Sequence, residues 1–299
     1  MRAESFVCPE PVKAYDPVEP KKLIGQFEKG SVLEIDPIAP TPGYHKVKFV
    51  TPTHQTVVAL CVDDDIGKAP VKPVRVLFLG DNFTLMHQIP LQVRQLAIEA
   101  KEKHPFETEM IARDGATLKQ LLDDADANKK IKEGKWNFVV VQAGSEEMLN
   151  GGDALLPTLQ AFDTLIHHVA GSRMMLFMTW ADKTLPQKQT VIKQRYRGLG
   201  TELKAWVAPV GVGWEKAATG KQSVDLYNGD GHNANAAGSY LAACVFYSLF
   251  YAKSPEGLPY DLKNPDVPTE VLNSVFPGEA KVLQTIAWDV AKNENQPKD

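Results

Sequence analysis

The chain has 299 residues, 43% hydrophobic and 23% charged, with 33 basic and 37 acidic residues and a formal net charge of -4. That much apolar matter offsets the entropy of ordering and excludes a disordered chain. The charge balance excludes a broad electrostatic grip on nucleic acid or anionic lipid, and no apolar run approaches the roughly 18 residues needed to cross a bilayer.

Residues 1–20 carry Pro9, Pro11, Pro17 and Pro20 with little periodicity, which predicts an extended N-terminal arm. From Leu23 short apolar runs alternate with turn signals: LIGQF, SVLEI, YHKVKFV and QTVVALCV. In HKVKFV, Val47 and Phe49 fall on one face and Lys46 and Lys48 on the other, the period of a half-buried strand. Four or five such strands over 21–66 predict a small SH3-like β-barrel. The acidic trio Asp63, Asp64 and Asp65 and the Lys/Pro-rich stretch 67–73 read as its linker.

From Val74 the pattern becomes β-α-β. VRVLFL, FETEMIA, WNFVVVQ, RMMLFMTW and VAPVGV predict five strands, separated by helices over 90–103, 117–127, 155–170 and 186–206 and followed by one over 236–251. Thr117 or Asp114 marks the start of the second helix, and the charge-mixed run Asp123–Lys135 reads as a solvated helix end and loop. Strands alternating with helices predict an α/β/α sandwich, a three-layer fold around a five-stranded parallel sheet, over 74–253. Residues 254–299 are then a helical C-terminal extension packed on it. Sites in such sheets lie beyond the carboxyl ends of the strands. The loops after Leu79, Ala112, Gln142, Trp180 and Val212 are therefore the places to look.

Three of these loops are unusual: Leu79-Gly80-Asp81-Asn82-Phe83-Thr84, Arg113-Asp114-Gly115-Ala116-Thr117-Leu118, and Gln142-Ala143-Gly144-Ser145. A fourth segment, Leu226 to Asn233, runs into Ala237-Gly238-Ser239-Tyr240. With these blocks in this order, the chain from Val74 to about Trp288 resembles an SGNH/GDSL-type hydrolase of the bacterial esterase-like kind. The resemblance implies a nucleophilic Ser in the first loop, an oxyanion glycine in the second, and an Asp and a His before the last helix.

The departures decide what to expect. The nucleophile position holds Asn82 and the His position, counted back from Gly238, holds Asn233. Asp230 keeps the acid, Gly115 keeps the oxyanion glycine, and Asp81 replaces the usual Asn. Acyl transfer needs a hydroxyl or thiol beside a base; an amide has no useful pKa, and Asn233 cannot shuttle a proton. The expectation is a degenerate ester hydrolase with a binding or structural role, its pocket lined by Asp81, Gly115, Gln142 and Ser145. The alternative is an active carbohydrate or short-chain ester hydrolase with a shifted set built on Asp230 and His232, against the simpler expectation that His232 points outward.

Thr84 is expected to cap the helix after the first loop, and Ser145 to bond loop backbone. Asp81, Asp230 and His232 lack a recognisable metal-ligand spacing, so no metal or cofactor is expected. Adjacent His167 and His168 should face different sides of a helix, and His87 sits at the pocket rim or on the surface. Trp180, Trp206 and Trp288 read as core; Trp214, just after the fifth strand, resembles a pocket-wall residue of the family. Cys8, Cys61 and Cys244 are too scattered for a disulfide framework or zinc site. Buried thiols are expected, with a Cys61–Cys244 bridge as the alternative. The expected ligand is a small acyl or carbohydrate group in the pocket, and the barrel suggests a protein partner. MRAESFVCPEP lacks the apolar segment of a signal peptide, and the compartment is left open.

Overall fold

The computed structural model describes residues 4–8, 11–19, 21–28, 31–35, 44–50, 55–62, 72–220 and 222–297, without the side chains of 4–7 and 152–154. The expected turns at 29–30, 36–43 and 51–54, the acidic trio and most of the 67–73 linker lie outside the described residues. The chain divides into two compact units between Val74 and Arg75.

The first unit is one antiparallel sheet of six strands: β1 (Glu4–Val7), β2 (Val12–Tyr15), β3 (Leu23–Phe27), β4 (Val32–Ile35), β5 (Tyr44–Val50) and β6 (Thr56–Val62). Their order is β1-β4-β5-β6-β2-β3. Two of these strands lie in the segment expected to be an extended arm. β1 pairs with β4, and β2 lies between β6 and β3. Four-residue strands flanked by prolines carry too few periods to show in the sequence, although Val12 and Ala14 alternate inward. The expected SH3-like barrel is thus a six-stranded sheet with β1 and β3 at its ends. Its core gathers Cys8, Val12, Ala14, Phe27, Leu33, Ile35, Val47, Ala59 and Cys61, with Phe27 packed 5.4 Å from Phe49.

The second unit holds five strands in the order β11-β10-β9-β7-β8: β7 (Val74–Gly80), β8 (Phe106–Ala112), β9 (Phe138–Val141), β10 (Arg173–Phe177) and β11 (Trp206–Ala208). The sheet is parallel; Val76 pairs with Phe138, Arg173 with Phe138, and Met175 with Trp206. Alternation along β7 builds the layers. Leu77 and Leu79 join a core with Val139, Val141, Phe162, Leu176 and Ile192 on one face. Phe78 points the other way and meets Phe246 edge-on at 5.2 Å.

The helices are α1 (Asn82–Leu85), α2 (Ile89–Glu99), α3 (Leu118–Asp123), α4 (Ala125–Glu133), α5 (Ser145–Asn150), α6 (Gly152–Asp163), α7 (Gln189–Leu203), α8 (Val210–Thr219), α9 (Ala236–Tyr251) and α10 (Pro277–Asn293). Several differ from the sequence reading for local reasons. The predicted 117–127 helix breaks at Asp124, whose side chain caps a new helix by accepting from the Ala127 amide at 2.8 Å. The charge-mixed run is therefore largely α4. VAPVGV is a strand only to Ala208; Pro209 turns the chain, and Val212 and Trp214 lie inside α8. A π turn over Thr164–Val169 stacks the His167 and His168 rings, 5.2 Å apart, rather than splaying them. The C-terminal segment contains a hairpin, β12 (Asp261–Lys263) and β13 (Val271–Ser274), before α10. Gln284 of α10 donates to Tyr240 and to the Leu258 carbonyl, both at 2.7 Å. All three cysteines are buried and none is in a disulfide, so no Cys61–Cys244 bridge forms.

Candidate functional site

The first loop leaves β7 through Gly80, where any side chain would collide: a Cβ would stand 2.3 Å from Gln142 Oε1 and 2.5 Å from Thr84 Oγ1. Gln142, at the end of β9, explains the crowding. Its Oε1 accepts from the Asp81 amide and from the Thr84 hydroxyl, both at 2.9 Å. Thr84 is therefore committed to Gln142, and the cap expected of it is supplied by Asp81, whose Oδ1 accepts from the Phe83 amide at 2.9 Å. Asp81 is only 8% exposed. Burial raises its pKa above the ordinary carboxylate value, against the pull of the Phe83 amide, Gln142 and nearby His232.

Asn82, expected at the nucleophile position, reaches across to the second loop and donates from Nδ2 to Asp114 Oδ1 at 2.5 Å. Gly115 follows at φ +63°, with open space where a Cβ would stand. Thr117 caps α3 in a reciprocal box with Gln120. Glu147 of α5, which sequence reasoning missed, closes this side by accepting the Leu118 amide on both oxygens, at 3.0 and 3.1 Å. Burial raises its pKa, and the Asp81 charge adds to the rise. Beneath lies a buried layer. Ser145 donates to the Trp180 carbonyl at 2.5 Å, as expected of a loop hydroxyl, and Tyr196 donates to the Ala143 carbonyl at 3.3 Å.

The fourth segment is a tight turn closed by an antiparallel bridge between Tyr227 and Ala234. Asp230 is occupied by this turn: Oδ1 accepts from the amides of His232 and Asn233 at 2.8 and 2.9 Å, and Oδ2 accepts from Asn233 Nδ2 at 2.8 Å. The Asn233 side chain and then the His232 amide hold its pKa below the usual value. The imidazole of His232 bonds Asp182 rather than Asp230, so the pair that the alternative reading required is not formed. Nor does His232 simply point outward. Its Nδ1 lies 2.5 Å from Asp182 Oδ1, its ring packs 4.8 Å from Phe83, and its carbonyl accepts from Trp180 Nε1 at 2.9 Å. Asp182 was missed because nothing in its neighbourhood of sequence announces a partner fifty residues on. Its position just past the end of β10 was the only signal.

Aromatic rings floor this corner. Trp180 and Trp214 stack at 3.7 Å and 5°, and Tyr227 meets Trp214 edge-on at 5.4 Å. Trp214, in α8, is buried and backs Trp180 in this corner. His87 and Gln88 both hold left-handed backbone, at φ 52° and 48°. Burial lowers the His87 pKa, and a bond to the Ala234 backbone works against it. That contact places His87 against the fourth segment rather than on open surface.

No family model and no curated protein sequence matches the chain. Solved structures do. A protein of Slackia heliotrinireducens assigned as an SGNH hydrolase is 22% identical and superposes with a TM-score of 0.51, over 59% of this chain and 98% of its own. A DUF4886 family protein from Bacteroides uniformis is 17% identical, with a TM-score of 0.58 over 74% of this chain and 96% of its own. These likenesses establish the SGNH-type α/β fold.

Proposed function

We propose that this chain has lost the acyl-enzyme chemistry of SGNH hydrolases and uses the remaining cleft to bind a small acyl or carbohydrate ligand. The observation that carries this reading is that the two amides we assign to the reactive positions are each tied to a carboxylate: Asn82 to Asp114, and Asn233 to Asp230. An amide held this way is neither nucleophile nor base. What these loops offer instead is amide and carboxylate groups beside the partly exposed His232, which suits hydrogen bonding to a carbonyl or a sugar. The alternative, an active carbohydrate or short-chain ester hydrolase using Asp230 and His232, is less well supported, because Asp230 bonds Asn233 and the His232 imidazole bonds Asp182. For the N-terminal unit, Leu23 and Ile24 stand exposed on the edge strand β3, which supports a protein partner there.

The test pairs titration calorimetry with acetylated oligosaccharides and short-chain acyl ligands against rapid-mixing kinetics with an aryl acetate. Saturable heat for at least one ligand, with no burst of phenol release, is expected. A burst of about one equivalent overturns the loss of acyl-enzyme chemistry. Absence of heat with every ligand overturns the binding role.

A further inference from the structure

The sheet of the first unit ends at β3, which pairs only with β2 among the described residues. An edge bared in this way offers a row of backbone donors and acceptors to another chain. Every residue from Lys22 to Gln26 is exposed, so neither face of the strand is covered over that stretch. Leu23 and Ile24 are 56% and 46% exposed, and Phe27 alone turns into the core. Gly25, in the middle, has nothing within 4 Å of where a Cβ would stand. A second backbone can therefore come close at that point.

The charges on the strand select the occupant. Lys22 stands three residues before Gly25, and Glu28 stands three residues after it. Two copies of β3 running antiparallel about a two-fold axis at Gly25 bring each Lys22 opposite the Glu28 of the other copy. Leu23 then faces Phe27, and Ile24 faces Gln26. The register of β3 with β2 shifts beyond Gly25, opposite Ala14 and Tyr15. Leaving Ile24 out of the count as the extra residue still sets Lys22 against Glu28. Both charges can exchange partners. Lys22 lies 3.7 Å from Glu19 and Glu28 accepts from Gln26 at 3.0 Å, and such exposed local contacts hold weakly.

We propose that β3 is a self-association edge, where two copies of this chain pair antiparallel about Gly25 with a Lys22–Glu28 ion pair at each end. The proposal rests on the reading above that the N-terminal unit takes a protein partner at this edge, and it names that partner as a second copy. One short strand pair covers less surface than a standard interface, so the dimer is weak and concentration-dependent.

The experiment is sedimentation of the full chain up to about 1 mM, with hydrogen exchange of the β3 amides read in the same samples. A reversible monomer–dimer equilibrium is expected, with the outward β3 amides slowed in the dimer. Lys22→Glu sets like charges at both ends of the pair, and so does Glu28→Lys. Each should raise the dissociation constant about tenfold or more. An equimolar mixture of the two variants should recover a heterodimer of parental affinity, because opposite charges again meet at each end. That recovery also shows that neither variant has lost its fold. Dimerisation indifferent to both variants overturns the proposal, and so does a mixture that recovers nothing. A chain that stays monomeric overturns it as well, and the exchange data then judge the underlying reading. Outward β3 amides that exchange freely leave a different protein partner standing. Amides protected all along β3 show an edge already covered within the chain, and the protein-partner reading falls too.

Discussion

At the residue scale, what each position can do depends on its partner. Residue type alone set the expectation that Asn82 and Asn233 depart from the hydrolase pattern and that Asp230 keeps it. That Asn82 is anchored to Asp114 follows only from two loops meeting in space, whereas Asp230 and Asn233 bond each other within a single turn. Asp182 and Glu147 went unseen for the same reason. Asp81 yields a pH prediction. Its native pKa is raised by burial, so the unfolded chain gives up its proton first as pH rises. Stability should therefore fall as pH climbs from the ordinary carboxylate value towards the raised native one. Asp81→Asn keeps the cap on Phe83 and should flatten that decline. Melting temperatures of the two proteins across the acidic range check it; parallel curves would refute it. In the opposite sense, stability due to Asp230, whose pKa is lowered, should be present above the ordinary carboxylate value and be lost as pH falls through its native one.

At the element scale, strong periodicity carried the reading and short segments defeated it. The YHKVKFV and LIGQF strands, FETEMIA and the 236–251 helix lie where their patterns place them. β1, β2 and α1 are four residues long and left too little pattern to see. The break between α3 and α4 is set by Asp124. Asp124→Ala removes that cap and should cost about 1 kcal/mol, read by denaturant unfolding; no change would mean the helix start is fixed by packing instead. The edge strand β11 carries a second local device. Gln296 donates to the Val207 carbonyl at 2.7 Å and accepts from the Val207 amide at 2.8 Å, so one side chain mimics a strand pairing. Glu294 is anchored nearby by Arg197 at 2.8 and 2.7 Å. Gln296→Ala should destabilise by about 1 kcal/mol and, by baring an edge, raise self-association in sedimentation experiments. A variant that stays as stable and as monodisperse as the parent would show that the edge needs no cover.

At the scale of the whole molecule, the α/β order of elements was legible because parallel sheets write their strands as apolar runs between helices. The strand order of the first unit was not, since pairing order between short strands leaves no local trace. Each unit has its own buried core, so residues 75–299 should fold alone and keep whatever ligand binding and turnover the full chain has. The central claim, that the fold has been separated from its acyl-enzyme chemistry at Asn82 and Asn233, is tested most directly by intact mass after exposure to an alkyl fluorophosphonate. The parent chain should gain no adduct, while the double variant Asn82→Ser, Asn233→His should gain one. A single stoichiometric adduct on the parent chain would contradict the account.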